Sequence, residues 1–115
     1  MPATKKKGIR IKDVRVGTGR VAEAGTFATI KYEGFLNRGE KILAGSTYQF
    51  KVGRRDNTAM LETPVAGMRE GGVREARVGP QLAYRDAGVE GKIPPNAVIR
   101  WVIELIRVED GETET

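Results

Sequence analysis

With 115 residues and 12.6 kDa, the chain has the size of one ordinary domain. Cysteine and histidine are both absent, which excludes disulfides, thiolate chemistry, histidine-ligated metals and every nucleophile–histidine catalytic pair. The formal net charge of +5 is unevenly spread: residues 1–55 hold 13 Lys and Arg against 4 Asp and Glu, and residues 56–115 hold 7 against 11.

Lys5, Lys6 and Lys7 form a basic cluster with no apolar run behind it, unlike a secretory signal. No stretch reaches the ~18 apolar residues of a bilayer span. The expectation is a cytoplasmic protein with a flexible basic arm over 1–8, a folded domain over 9–108 and a disordered acidic tail over 109–115. Ile9, Ile11, Val14 and Val16 predict an opening strand that changes face once, through a bulge near Lys12-Asp13. Gly17-Thr18-Gly19 and Glu23-Ala24-Gly25 are turn signals.

From Thr26 to Leu36, Ala28, Ile30 and Tyr32 alternate with Phe27, Thr29 and Lys31, the pattern of a half-buried strand. Asn37-Arg38-Gly39-Glu40 reads as a hairpin turn with its glycine at a position of positive φ. A short strand follows over Tyr48–Val52. One helix is predicted between Thr58 and Met68, interrupted by Pro64, so that it either stops before the proline or restarts with Thr63 as its cap. Val73–Val78 is a strand. Val98–Val108 is the clearest one, with Ile99, Trp101, Ile103 and Leu105 on one face. Thr26 and Thr29 read as strand surface, Glu70 and Glu75 as solvated carboxylates, and no metal-ligand spacing is present among the acids. The sum is an α+β domain whose sheet buries one face.

The most specific signal lies in residues 79–105. Pro80, Leu82, Ala83 and Tyr84 are followed by a loop with Gly88 and Gly91, then by Ile93-Pro94-Pro95-Asn96-Ala97 and the last strand. Upstream stand Tyr32-Glu33-Gly34 and Gly67-Met68 with Gly71-Gly72. In this order and spacing the chain resembles the FKBP family of peptidyl-prolyl cis-trans isomerases over roughly residues 9–108, with a shortened segment between Ile42 and Phe50. The resemblance implies a bent antiparallel β-sheet of five to six strands wrapped around one short α-helix, with an apolar pocket for a prolyl residue between them.

That chemistry needs no titrating group. Rotation about the peptide bond breaks amide resonance at a barrier of ~18–20 kcal/mol. The planar amide is more charge-separated than the twisted one, so a dry aromatic cavity favours the twisted form relative to water, and hydrogen bonds to the flanking backbone orient it.

By the same resemblance Tyr32, Tyr84 and Trp101 are the candidate catalytic residues. Tyr32 is similar to the pocket tyrosine of the second strand, and Tyr48 takes the place of a wall phenylalanine. Trp101 replaces an aromatic on the last strand, Tyr84 stands where a loop hydroxyl donates to a ligand carbonyl, and Ile93 keeps an apolar loop wall. The family's Phe-Asp pair is Ile42-Leu43 here, and its Val-Ile at the helix entry is Asn57-Thr58, where the Thr58 amide keeps its donor. The floor tryptophan is Leu61, a helix glycine is Pro64, the glycine after the loop tyrosine is Arg85, and Lys92 replaces an apolar residue. Trp101, bulkier than phenylalanine, is expected to refill the floor as a buried indole.

The resemblance therefore implies a monomeric isomerase of reduced activity on proline-containing polypeptides, without metal or cofactor. Macrolide binding is expected to be weak, and no membrane or nucleic-acid partner is expected. The alternatives are a catalytically silent peptide-binding module of the same fold, or a basic accessory protein that contacts nucleic acid or the ribosome through residues 1–55.

Overall fold

The computed structural model describes residues 9–36, 39–54, 62–80, 88, 93–94 and 96–111, with positions 43–46 described by backbone pairing alone. Alternating apolar residues produce five strands: β1 (Ile9–Arg15), β2 (Phe27–Leu36), β3 (Lys41–Lys51), β4 (Val73–Val78) and β5 (Ile99–Glu109). They form one sheet in the order β1-β4-β5-β2-β3, and every neighbouring pair is antiparallel. The pleat sends Ala28, Ile30 and Leu36 of β2, Ala76 and Val78 of β4, and Ile99, Trp101, Ile103 and Leu105 of β5 to one buried face. On the outer face Arg100 lies 4.4 Å over the Phe35 ring and 3.5 Å from Glu75.

Pro64 and Val65 cap the buried face from a 3-10 turn at Thr63–Val65. One charged side chain reaches under the sheet to meet that turn. Arg74 lies on β4 in phase with Ala76 and Val78, so alternation directs it inward. Its Nε donates to Asp13 Oδ1 at 2.7 Å, and its Nη1 donates to the carbonyls of Pro64 at 2.8 Å and Ala66 at 3.1 Å. A buried guanidinium persists only when paired and hydrogen-bonded in this way.

The crossover from β1 to β2 runs beside residues 67–72. Ala22 N–H donates to Met68 at 2.7 Å, Gly67 N–H to Ala22 at 3.0 Å and Glu70 N–H to Arg20 at 2.9 Å. At Gly17 a Cβ would collide with the Glu70 carbonyl and lie 2.5 Å from Gly72 N, so only glycine permits the crossing. The Glu70 carboxylate accepts from Val108 N–H at 2.7 Å and from Arg20 N–H at 3.4 Å, fastening the crossover to the end of β5.

Five antiparallel strands and the Gly39 turn (φ 107°) follow the sequence expectation. Other expectations are corrected. The β1 bulge falls at Val14, between the Asp13–Arg74 and Arg15–Val73 pairs, rather than at Lys12-Asp13. Val14 and Val16 are 60% and 69% exposed because β1 is an edge strand that twists outward past that bulge. The strand predicted over Tyr48–Val52 begins at Lys41, since β2 pairs with it through bulges near Gly34. In place of the predicted helix, the described residues hold only the 3-10 turn, and its cap is Glu62 rather than Thr63; positions 58–61 lie outside the described residues.

Thr26 is buried rather than surface, with its Oγ1 donating to the Glu23 carbonyl at 2.7 Å. Glu70 is a backbone clamp and Glu75 is paired with Arg100, so neither is merely solvated. At the chain's end Glu109 of β5 pairs with Phe27, and Asp110 lies 2.8 Å from Arg20.

Two stability predictions follow from these ties. Arg74→Ala leaves the Pro64 and Ala66 carbonyls without their donor and unpairs a half-exposed Asp13, and should cost about 2–4 kcal/mol in urea unfolding. The Glu70 carboxyl is held below its ordinary value, chiefly by the Val108 N–H. With the folded value below the unfolded one, its contribution is present above the ordinary carboxylate range and is lost as pH falls through the lowered value. Glu70→Gln should thus lower the urea midpoint at neutral pH, and its difference from wild type should shrink on acidification.

Candidate functional site

Three aromatic side chains come together on the buried face. Ile30 pairs with Tyr48 across β2 and β3, and Gly34 pairs with Trp101 across β2 and β5. Tyr32 lies between these pairs on the same face of β2 and touches both rings. Its centroid is 5.7 Å from Tyr48 at 90° and 5.6 Å from Trp101 at 66°. Both are edge-to-face geometries, which add ~0.5–1.5 kcal/mol each beyond area burial. Phe50 extends the row, 5.7 Å from Tyr48.

Burial grades along this row. Trp101 is 1% exposed, whereas Tyr32, Tyr48 and Ile42 are half-buried against the core. The row thus has a dry indole end and a tyrosine end that reaches solvent. Gly34 permits the deep end: a Cβ there would lie 2.7 Å from Trp101 Cζ3 and 3.1 Å from Cε3. The Trp101 Nε1 is shut off from solvent and has no hydrogen-bond partner among the described residues, a state that costs roughly 1–3 kcal/mol.

The Tyr48 hydroxyl donates to Glu62 Oε2 at 3.1 Å, joining β3 to the residue that caps the 3-10 turn. Burial first, and then the Glu62 carboxylate, push the phenol far above its ordinary value, so it stays a neutral donor. Ile93 is buried, and a Cβ on Gly88 would collide with the Ile93 carbonyl, which accounts for the glycine at that loop position. Asn96 takes the left-handed conformation (φ 59°) on the way into β5, one that asparagine tolerates.

Of the residues singled out in the sequence, Tyr32, Tyr48 and Trp101 are brought into one cluster. Ile42 packs half-buried against the core, and Ile93 belongs to the buried core. Leu43 pairs with Gly34 through the backbone. Asn57, Thr58, Leu61 and Tyr84 lie outside the described residues. The indole of Trp101 is buried, and whether it refills a floor at Leu61 concerns a position outside the described residues. Gly34, Glu62 and Arg74 were not recognised as supports: a glycine in mid-strand was the available signal for the first, and nothing local marks the other two. A depression of about 250 Å³ is lined by Lys31, Glu33, Val73, Val102 and Glu104 of the strands' outer phase, and Tyr32 of the aromatic row borders it too.

Gly34→Ala should push the indole out of its seat. The expected cost is about 1–3 kcal/mol from overpacking, together with a red-shifted emission of the sole tryptophan.

The FKBP-type peptidyl-prolyl cis-trans isomerase family model matches residues 18–106. The 46 kDa FK506-binding nuclear protein of Spodoptera frugiperda is 32% identical over 106 residues, covering 89% of this chain and 26% of that protein. The 39 kDa FK506-binding nuclear protein of Drosophila melanogaster is 32% identical over 108 residues, covering 90% and 30%. The chloroplastic peptidyl-prolyl cis-trans isomerase FKBP16-4 of Arabidopsis thaliana is 34% identical over 113 residues, covering 89% and 49%. The chain therefore spans between about a quarter and a half of these relatives. Their names, two nuclear and one chloroplastic, overturn the expectation of a plainly cytoplasmic protein. Matched over residues 18–106, well over half of its length, the chain belongs to the FKBP-type peptidyl-prolyl cis-trans isomerase family.

Proposed function

We propose that this chain acts as a monomer to catalyse cis–trans isomerisation of X-Pro bonds in proline-containing polypeptides, at a reduced rate. The observation that carries this reading is the cluster of Tyr32, Tyr48 and Trp101, dry at one end and open to solvent at the other. A pyrrolidine ring laid against Tyr32 and Tyr48, with Ile42 and Ile93 as walls, leaves water and with it the solvation that favours the planar amide. The twisted amide loses less in such surroundings, which lowers the barrier without any proton transfer. The Thr58 amide and the Tyr84 hydroxyl serve as backbone donors in this reading, on the strength of the family resemblance.

Ile42-Leu43 and Leu61 remove two aromatic rings and a carboxylate that the family pattern has, which supports a lowered rate. The same changes favour a second reading, a module that binds prolyl segments without accelerating them. With Leu43 and Lys92 in place of the usual residues, macrolide binding is weak. The basic side chains Arg20, Lys41, Arg74 and Arg100 each meet a carboxylate within 3.5 Å, which weighs against a polynucleotide partner.

A protease-free assay on short X-Pro peptides tests the proposal. Acceleration at micromolar protein is expected, and Tyr32→Leu should lower kcat/KM at least about tenfold, equivalent to ~1.4 kcal/mol of barrier. Peptide-induced amide shifts without acceleration select the binding module instead.

A further inference from the structure

We propose that the indole N–H of Trp101 anchors the bound polypeptide by donating a hydrogen bond to a backbone carbonyl that flanks the isomerising bond. The inference rests on the prolyl-pocket reading above and adds to it a donor that a phenylalanine at this position lacks. Buried polar side chains elsewhere in the described structure are satisfied: Arg74 by Asp13, Pro64 and Ala66, and Thr26 by Glu23. Trp101 Nε1 is the exception among the described residues, closed to solvent and without an acceptor. An indole nitrogen is a donor only, and buried donors are almost always paired.

The ring is also held in one place. Its Cε3–Cζ3 edge is seated over Gly34 of β2, and Tyr32 packs edge-on at 5.6 Å. Nε1 lies on the opposite edge of the indole, turned away from Gly34. A donor fixed in this way gives up no earlier hydrogen bond when an acceptor arrives, but the groups that close it from solvent must part to admit one, so only part of the new bond's gain appears as binding.

Charge decides which carbonyl it takes. The oxygen of the isomerising amide carries more negative charge when planar than when twisted, so a donor aimed there would hold the ground state and slow rotation. A flanking carbonyl keeps its charge throughout. Donation to it stabilises substrate and transition state alike, and the effect belongs in KM rather than kcat.

The sole tryptophan gives a single indole ¹H–¹⁵N resonance, which makes the test direct. On titration with a short prolyl peptide, the Hε1 signal should move downfield and saturate together with the backbone amides of Tyr32 and Tyr48. Trp101→Phe should raise KM about three- to tenfold, the loss of one hydrogen bond, with a smaller fall in kcat from the lost indole surface. Should the smaller ring disturb folding, replacing the indole by its benzothiophene analogue removes the N–H and keeps the shape, and the same rise in KM is expected. An indole resonance that stays put while the Tyr32 and Tyr48 amides saturate overturns the proposal and leaves the pocket standing. So does an unchanged KM in the benzothiophene protein. If those amides do not move either, the pocket reading falls and this inference with it.

Discussion

Arg74 brings a full charge beneath the sheet, and the layout of the buried face follows from the need to satisfy it. Its guanidinium holds Asp13 beside the β1 bulge and two carbonyls of the 3-10 turn. The described structure has no α-helix against the sheet, so this turn, with Pro64 and Val65, closes part of the face. A short turn has few backbone hydrogen bonds of its own, and a buried cation that donates to two of its carbonyls gives it a fixed position. Glu70 acts comparably at the crossover, where one carboxylate satisfies amides from Arg20 and Val108.

The aromatic row is built on this frame. Its geometry depends on an absence: Gly34 has no Cβ where the Trp101 ring must lie. Because the indole can cross over β2, Tyr32 meets it edge-on and Tyr48 meets Tyr32 in turn, so the three rings form a graded surface from dry to wet. Glu62 then ties the tyrosine end to the turn that Arg74 has already placed. A change at Arg74 would accordingly reach the aromatic site without touching it.

Such a site suits a chain without histidine or cysteine. Bond rotation in a prolyl peptide asks for exclusion of water and for fixed backbone contacts, both of which packing and neutral donors supply. The raised phenol of Tyr48 is consistent with that economy, since it stays protonated and adds no charge to the aromatic row. The family resemblance implies aromatic residues where the chain has Ile42 and Leu61, and a smaller ring where it has Trp101.

Much of this was legible from residue order. Alternation over β2 and β5 announced strands and their inner faces, because the pleat is a local property with period two, while Val73–Val78 announced a strand without saying which face is inner. Gly39 announced its turn for the equally local reason of positive φ, and the Ile93–Ala97 segment carried the family. The family resemblance grouped Tyr32, Tyr48 and Trp101 as pocket candidates, and the fold brings these three rings into contact. What the sequence could not show is which distant groups meet. Asp13 and Arg74 are 61 positions apart, Gly34 and Trp101 are 67 apart, and Glu70 reaches Val108 across 38. Neither member of such a pair marks its partner in the residues around it. Only the folding of the sheet, with β1 and β2 on opposite sides of β4 and β5, decided that Arg74 would be buried rather than solvated and that a mid-strand glycine would seat an indole.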